Sequence, residues 1–418
     1  MTITITLIIL LTLLLISIPV AVALLVLGLT IGWIFSDYPL HRAMGEIFWS
    51  ASTDFILLAI PLFVLLGEIL LRAGIAKRTY SALDKWLSWL PGGLLHANIG
   101  TSAMFAATIT TVALPQARRY KYNESLFAGS IASGGTLGIL IPPSINLIVY
   151  GFLTNTSIPQ LFMAGIVPGV LLAVLFMVLI LVACIIKPEL SGGTRSASWG
   201  QRLSSLGDLL PVLFIFAVII GSIYAGWATP TESAALGVLA AVLLAARYKA
   251  INLAFIKEVF EGTMRTTAMI MLILITANFL NFVLDSIGLA EMLKQFVNNL
   301  GLSPFRTLLV IIALYVVLGF FVETLSLMVI TVPIVTPVIT GAGYDPVWFG
   351  IMLILLIEMA LITPPVGLNL FVVQGVRGSG NISEVMIGSL PFVIVIAVMI
   401  GIMIVFPDLA LIFARYVS

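Results

Sequence analysis

GGTLGILIPPSINLIVYG, residues 134–151, is apolar enough to lie in a membrane. Yet two adjacent prolines, four glycines, a serine and an asparagine stand where an ordinary span carries leucines. Proline removes a backbone donor and breaks a helix, at a cost of about 3 kcal/mol in a helix interior. The stretch therefore reads as a transmembrane helix interrupted near its middle, with backbone groups freed on both sides of the break.

The chain around it has 418 residues, 61% hydrophobic and 9% charged. A soluble domain carries about 25% charged residues. Apolar segments of about 20 residues recur along the whole length, so the fold class is an all-α polytopic membrane protein without a soluble domain. A net charge of +1 gives no footing for a polyanionic partner. One cysteine (Cys184) and two histidines (His41 and His96) cannot build a disulfide framework or a Cys/His metal site. Nor do the spans contain a nucleophile–base pair or paired acids of the kind a membrane-embedded enzyme needs. The N-terminal apolar run lacks a basic n-region and a small-residue cleavage site, and reads as a retained span.

The embedded segments read as 3–35, 54–73, 94–114, 125–150, 161–186, 208–226, 232–247, 266–284, 304–339, 346–374 and 386–407. Lys and Arg concentrate in the connections 74–91, 115–124, 187–207 and 247–265, whereas 151–160, 227–231 and 340–345 carry none. The positive-inside rule puts the first group in the cytoplasm and the bare group outside. Segment 94–114 must then return to the side it left, and so must 304–339. Both are expected to be re-entrant hairpins, one from each face, tolerated at depth only when buried in protein or lining a wet cavity. Segment 3–35, broken near Pro19, leaves the N-terminal side open.

EMALITPPVGLNLFVVQG, residues 358–375, is a partner to the opening stretch. A slide of 222 positions aligns Pro115 with Pro337, Tyr122 with Tyr344, Phe127 with Phe349, and Pro142–Pro143 with Pro364–Pro365. Two amphipathic connections also match, GIAKRTYSALDKWL from Gly74 and GLAEMLKQFVNNL from Gly288, but at an offset of 214, so the first half is eight residues shorter between these anchors. Such connections suit helices lying in the interface; in a transporter they could brace a mobile core against a fixed scaffold. The charge argument places Gly74 inside and Gly288 outside, which makes the repeat inverted. The halves divide as 1–190 and 208–418, joined by a cytoplasmic linker, 191–207. Inverted repeats with broken helices are the signature of secondary transporters, with the binding site at the midplane.

Each Pro-Pro break frees carbonyls on one side and leaves a helix N-terminus on the other. Carbonyls with nearby hydroxyls suit a hard cation such as Na⁺, and the N-terminal amides suit a carboxylate. The polar groups on offer are Thr136, Ser144 and Asn146 in the first half, and Thr363 and Asn369 in the second, with Gly367 admitting a ligand to the backbone. The intramembrane acids are Glu68, Glu323 and Glu358, candidates for function by position alone. Glu323 lies where the second hairpin should turn, beside Thr324 and Ser326, and suits a structural or gating role first and cation coordination second. No Lys or Arg lies deep in a span, so helix ends and bound cations would hold an anionic substrate.

GGTLGILIPPSINLIVYG followed by LFMAGIVPG at 161–169, ATPTESAALG at 228–237 and LITPPVGLNLFVVQGV at 361–376 resemble the large membrane subunit of TRAP (tripartite ATP-independent periplasmic) transporters over essentially the whole chain. The resemblance implies a sodium-driven elevator transporter for organic acids, of the sialic acid or C4-dicarboxylate class, in the bacterial inner membrane. It also implies a small four-helix membrane subunit and a periplasmic substrate-binding protein as partners. The family's superfamily carries sodium at hairpin tips and facing breaks. Carried onto this chain, the first sodium site takes Ser102, Thr136, Pro142, Ser144 and Asn146, and the second Thr324, Ser326, Thr363, Pro364, Gly367 and Asn369. Gly135, Pro143, Glu323 and Pro365 fall to the substrate. One departure stands out: SAMFAATITTVALP, 102–115, lacks the Gly-Ser-rich segment usual at the first hairpin tip, matching the eight-residue shortfall. A stand-alone sodium–dicarboxylate symporter of the same superfamily is the alternative, and a channel suits opposed hairpins and an inverted repeat less well.

Overall fold

The computed structural model describes residues 2–16, 18–101, 113, 117–192, 197–289, 291–293, 295, 301–320 and 322–416. Among these residues the chain is helical, without a strand. Among the described residues six helices are each long and apolar enough to cross a bilayer, up to eight spans if each of two bent helix pairs is counted as one, the longest helices being Leu253–Ser286 and Ile158–Ile186. The N-terminal run divides at Pro19 into Thr2–Leu15 and Val20–Phe35. The linker is helical from Trp199, where Ser198 and Gln201 form a reciprocal capping box. Of the first hairpin, a helix over 93–101 is described; Ser102 and most of 102–115 lie outside the described residues.

The repeat is visible in the backbone. Helices Glu124–Leu140 and Pro346–Ile362 are both 17 residues long and begin and end at positions 222 apart. Asn123 caps the first by accepting from Leu126 N–H, and Asp345 caps the second by accepting from Val347 and Trp348 N–H. Each ends at a Pro-Pro pair joined by a cis peptide, and a short helix follows: Ile145–Thr154 in one half, Leu368–Arg377 in the other. The amphipathic connections both start from a left-handed glycine, Gly74 at φ +71° and Gly288 at φ +68°, a backbone region glycine enters without steric cost. The second hairpin is formed by Pro304–Leu318 and Thr324–Gly341, bridged by a hydrogen bond between the Tyr315 and Thr331 hydroxyls.

The basic connections gather on one face. Arg72 bonds Glu258 at 2.9 Å, Arg78 lies 3.6 Å from Asp208, and Ala197 N–H donates to Ser88 at 3.3 Å. Two of the bare connections share the other face, where 153–157 and 345–347 line one cavity of about 600 Å³ with Asn281 and Asp285. Sorting Lys and Arg along the sequence thus predicts which loops lie together.

Packing cuts across the two halves. Helices Val20–Phe35, Met44–Ser52, Ala59–Arg72, Ile75–Leu87, Trp199–Tyr224, Pro230–Arg247 and Leu253–Ser286 form one group. The broken helices, the second hairpin, Ile158–Ile186, Ile382–Val405 and Asp408–Ala414 form another. Contacts between the groups are sparse. Inside the second group Gly129 and Gly388 bring two helices backbone to backbone.

On the basic face an ion cluster ties the broken helices together. Arg377, its side chain 4% exposed, donates to Glu124 at 2.6 and 3.1 Å and also to Glu384. Arg118 adds a contact to Glu124 at 3.6 Å and a hydrogen bond to Ser379. Removing one partner of a fully buried pair costs about 3–5 kcal/mol. Here both glutamates are half exposed, and water reclaims part of that loss. Arg377→Met is therefore expected to destabilise the protein by about 1–2 kcal/mol, read as a lowered thermal midpoint in detergent. Glu124→Gln should cost less, because Arg377 keeps Glu384.

Candidate functional site

At the first break the helix ends at Leu140, and Ile141 turns extended, at φ −76° and ψ 121°. Ser144 closes the gap: its hydroxyl donates to the Ile139 carbonyl, and its oxygen accepts weakly from Leu147 N–H at 3.5 Å. Asn146 is buried in the first turn beyond. Gly135, Pro142 and Pro143 line a cavity of about 300 Å³ that is otherwise apolar, facing Phe63, Leu66, Val212 and Ile215 of the other group. The first break therefore opens on a greasy seam between the two groups. Thr136 stands apart from it: fully buried, it donates to the Ser133 carbonyl at 2.8 Å and faces Glu358.

At the second break Thr363 donates its hydroxyl proton to the Met359 carbonyl, and its own carbonyl accepts from Gly367 N–H at 3.1 Å. Gly367 is needed for closeness, since a Cβ there would lie 2.7 Å from the Leu361 carbonyl oxygen. Pro365 is exposed, beside Pro364. The hairpin tip meets this break directly: a Cβ on Gly319 would fall 2.2 Å from the Ala360 Cβ. Gly319, Glu323, Thr324, Leu361, Val366 and Leu368 line a cavity of about 190 Å³ between tip and break. Glu323 caps the second hairpin leg, accepting from Leu325 N–H at 3.0 Å, Ser326 N–H at 3.1 Å and the Ser326 hydroxyl at 2.8 Å. Its carboxylate answers the positive helix N-terminus.

Asn369 turns away from the tip and donates to the Ala132 carbonyl at 3.2 Å. It links the second break to the first broken helix. The second-site residues thus divide: Thr324 lines the tip cavity beside Glu323, a residue expected at the substrate, while Ser326 binds Glu323, Thr363 and Gly367 hold the break, and Asn369 joins the repeats.

Residues 7–409 match the family described as the tripartite ATP-independent periplasmic transporter, DctM component. The chain belongs to the TRAP transporters as their large permease component. The TRAP permease is 33% identical over 381 residues to the C4-dicarboxylate TRAP transporter large permease protein DctM of Pseudomonas aeruginosa, covering 88% of each chain. It is 32% identical to the sialic acid TRAP transporter large permease protein SiaM of Vibrio cholerae, covering 86% of each. In fold it is similar to the YdaH transporter of Alcanivorax borkumensis, with a TM-score of 0.62 at 14% identity over 93% of this chain and 98% of that one. Neisseria gonorrhoeae MtrF gives a TM-score of 0.64 at 12% identity over 92% and 94%. Family and apolar helices together make the TRAP permease a multi-pass protein of the bacterial inner membrane.

Two features of the TRAP permease escape a linear reading. The Arg377 cluster joins residues 253 positions apart, and no local pattern announces it. The facing of Thr136 and Glu358 had a signal: the 222-residue slide that aligns the prolines also pairs these two positions.

Proposed function

We propose that this TRAP permease imports a small organic acid driven by Na⁺, by elevator-type alternating access. A periplasmic binding protein delivers the acid, and a small four-helix membrane subunit completes the scaffold. The observation that carries the reading is the closure of the hairpin tip against the second break. Among the described residues the polar side-chain atoms lining that pocket are oxygens, from Glu323 and Thr324, and backbone carbonyls freed at the break can join them, a donor set suited to a hard cation. Ser326 and Thr363 spend their protons on Glu323 and the Met359 carbonyl, so their lone pairs stay available to Na⁺. Residues here fit the ion. The sparse, apolar seam between the helix groups suits a surface along which the broken-helix group slides. The relatives' names point to substrates that are small organic acids, C4-dicarboxylate and sialic acid among them.

The test is uptake of C4-dicarboxylates and of sialic acid in proteoliposomes, with the binding protein and small subunit present or omitted, and with or without an inward Na⁺ gradient. Uptake that needs both partners and the gradient is expected. Equal uptake without Na⁺ contradicts the coupling; uptake without the binding protein makes the chain a stand-alone symporter.

A further inference from the structure

Glu358 lies 12 residues into the Pro346–Ile362 helix, about 18 Å along its axis and so near the middle of a hydrocarbon layer about 30 Å thick. It is 0% exposed. Among the described residues neither carboxyl oxygen has a hydrogen bond of normal geometry, and the polar groups facing it there are the Thr136 side chain and the Leu140 backbone. Thr136 has already given its proton to the Ser133 carbonyl, so toward Glu358 it presents lone pairs. One turn back on the same helix face, the Ser133 hydroxyl is buried and also without a partner. A hydroxyl and one backbone group fall short of what a carboxylate loses on leaving water, and a bare carboxylate there is too costly to keep.

Among the described residues no charge from the surrounding helices relieves it. Arg377 and Arg118 balance Glu124 and Glu384 at the basic face. Asp345 and Glu323 are spent capping helices, and Asp408 pairs with Arg415. Tyr150 donates to the Pro346 carbonyl, and Tyr315 shares its bond with Thr331. Arg306, Lys187 and Cys184 sit at the outer ends of their helices or beside Gly92. Thr136 and Glu358 are also repeat mates, 222 positions apart, so the pseudo-two-fold axis passes between them.

We propose that Glu358, with Thr136 and Ser133, forms a monovalent-cation site on this axis, separate from the hairpin and the break cavities, that takes up and releases a proton or Na⁺. A role for it in coupling rests on the transport reading above; its occupancy does not. The test is infrared difference spectroscopy on the full-length protein in lipid, wild type against Glu358→Gln. A protonated-carboxyl C=O band is expected in the wild type and missing from the variant. Its loss on raising pH in choline buffer identifies a proton. Loss at fixed pH on replacing choline with Na⁺ identifies exchange for sodium. Thr136→Val, which keeps the acid and removes the facing hydroxyl, should move the midpoint of that loss at least about tenfold in concentration, and it tests the site even if Glu358→Gln does not fold. Thr363→Val should leave the band unaltered, which separates this site from the break. Superimposable spectra for wild type and Glu358→Gln overturn the proposal, as does a band that neither pH nor Na⁺ removes. An unmoved midpoint in Thr136→Val also counts against it.

Discussion

Replacing Gly129 with valine is expected to leave no folded protein to recover. A Cβ at Gly129 would stand 2.1 Å from the Gly388 carbonyl oxygen and 2.7 Å from Ser389 N, and a Cβ at Gly388 would stand 1.9 Å from the Ser125 carbonyl oxygen. Those obstacles are backbone, so no side chain can swing aside; the helices Glu124–Leu140 and Ile382–Val405 must separate. Overpacking in a close-packed core costs about 1–3 kcal/mol where neighbours can adjust. Alanine at Gly129 should cost about 3 kcal/mol, and valine more than that, against a total stability of about 5–15 kcal/mol. Gly401, in the same helix with nothing within 4 Å of its would-be Cβ, is the control. Gly401→Ala should be neutral or stabilising by up to about 1 kcal/mol. The measurements are the yield of monodisperse protein in detergent and its thermal midpoint. A Gly129→Val protein with the wild-type midpoint refutes the backbone contact.

The second large effect is expected at the other break. Asn369→Leu removes the hydrogen bond to the Ala132 carbonyl, which keeps its partner within the Glu124–Leu140 helix, and so cuts the polar link between the second break and the first broken helix. Thr363→Val removes the hydroxyl that bonds the Met359 carbonyl at the end of the helix before the break. Each variant is expected to raise the Na⁺ concentration for half-maximal uptake at least about tenfold, equal to 1.4 kcal/mol, or to abolish uptake, while still inserting in the membrane. Wild-type uptake with an unaltered Na⁺ response in both removes the second break from the ion path.

Much of this architecture is legible in the chain because the membrane leaves few alternatives. Spanning segments must be helical, so a Pro-Pro pair in an apolar run can be little other than a break. The 222-residue slide predicted two such breaks, and the helices before them coincide end for end. Charge sorting grouped the loops, since Lys and Arg avoid the outer face. What stayed hidden depends on which way a side chain turns about its helix. Asn369 looks like a ligand of the nearby hairpin in sequence, but its position on the Leu368–Arg377 helix aims it at Ala132. Thr136, taken with the first break, is a full turn before it and faces Glu358 instead. The division into two packing groups was hidden too, because each group draws helices from both halves.

The central claim is that the group holding both breaks moves as a unit against the other group. The direct measurement is the distance between spin labels at Lys257→Cys and Ser383→Cys, in a Cys184→Ser background, by pulsed electron resonance in lipid. Both positions are exposed at the basic ends of their helices, one in each group. With both partners present, exchanging choline for Na⁺ and adding substrate should shift the distance by at least one helical turn, about 5.4 Å. A single distance that no combination of Na⁺ and substrate alters would contradict the account.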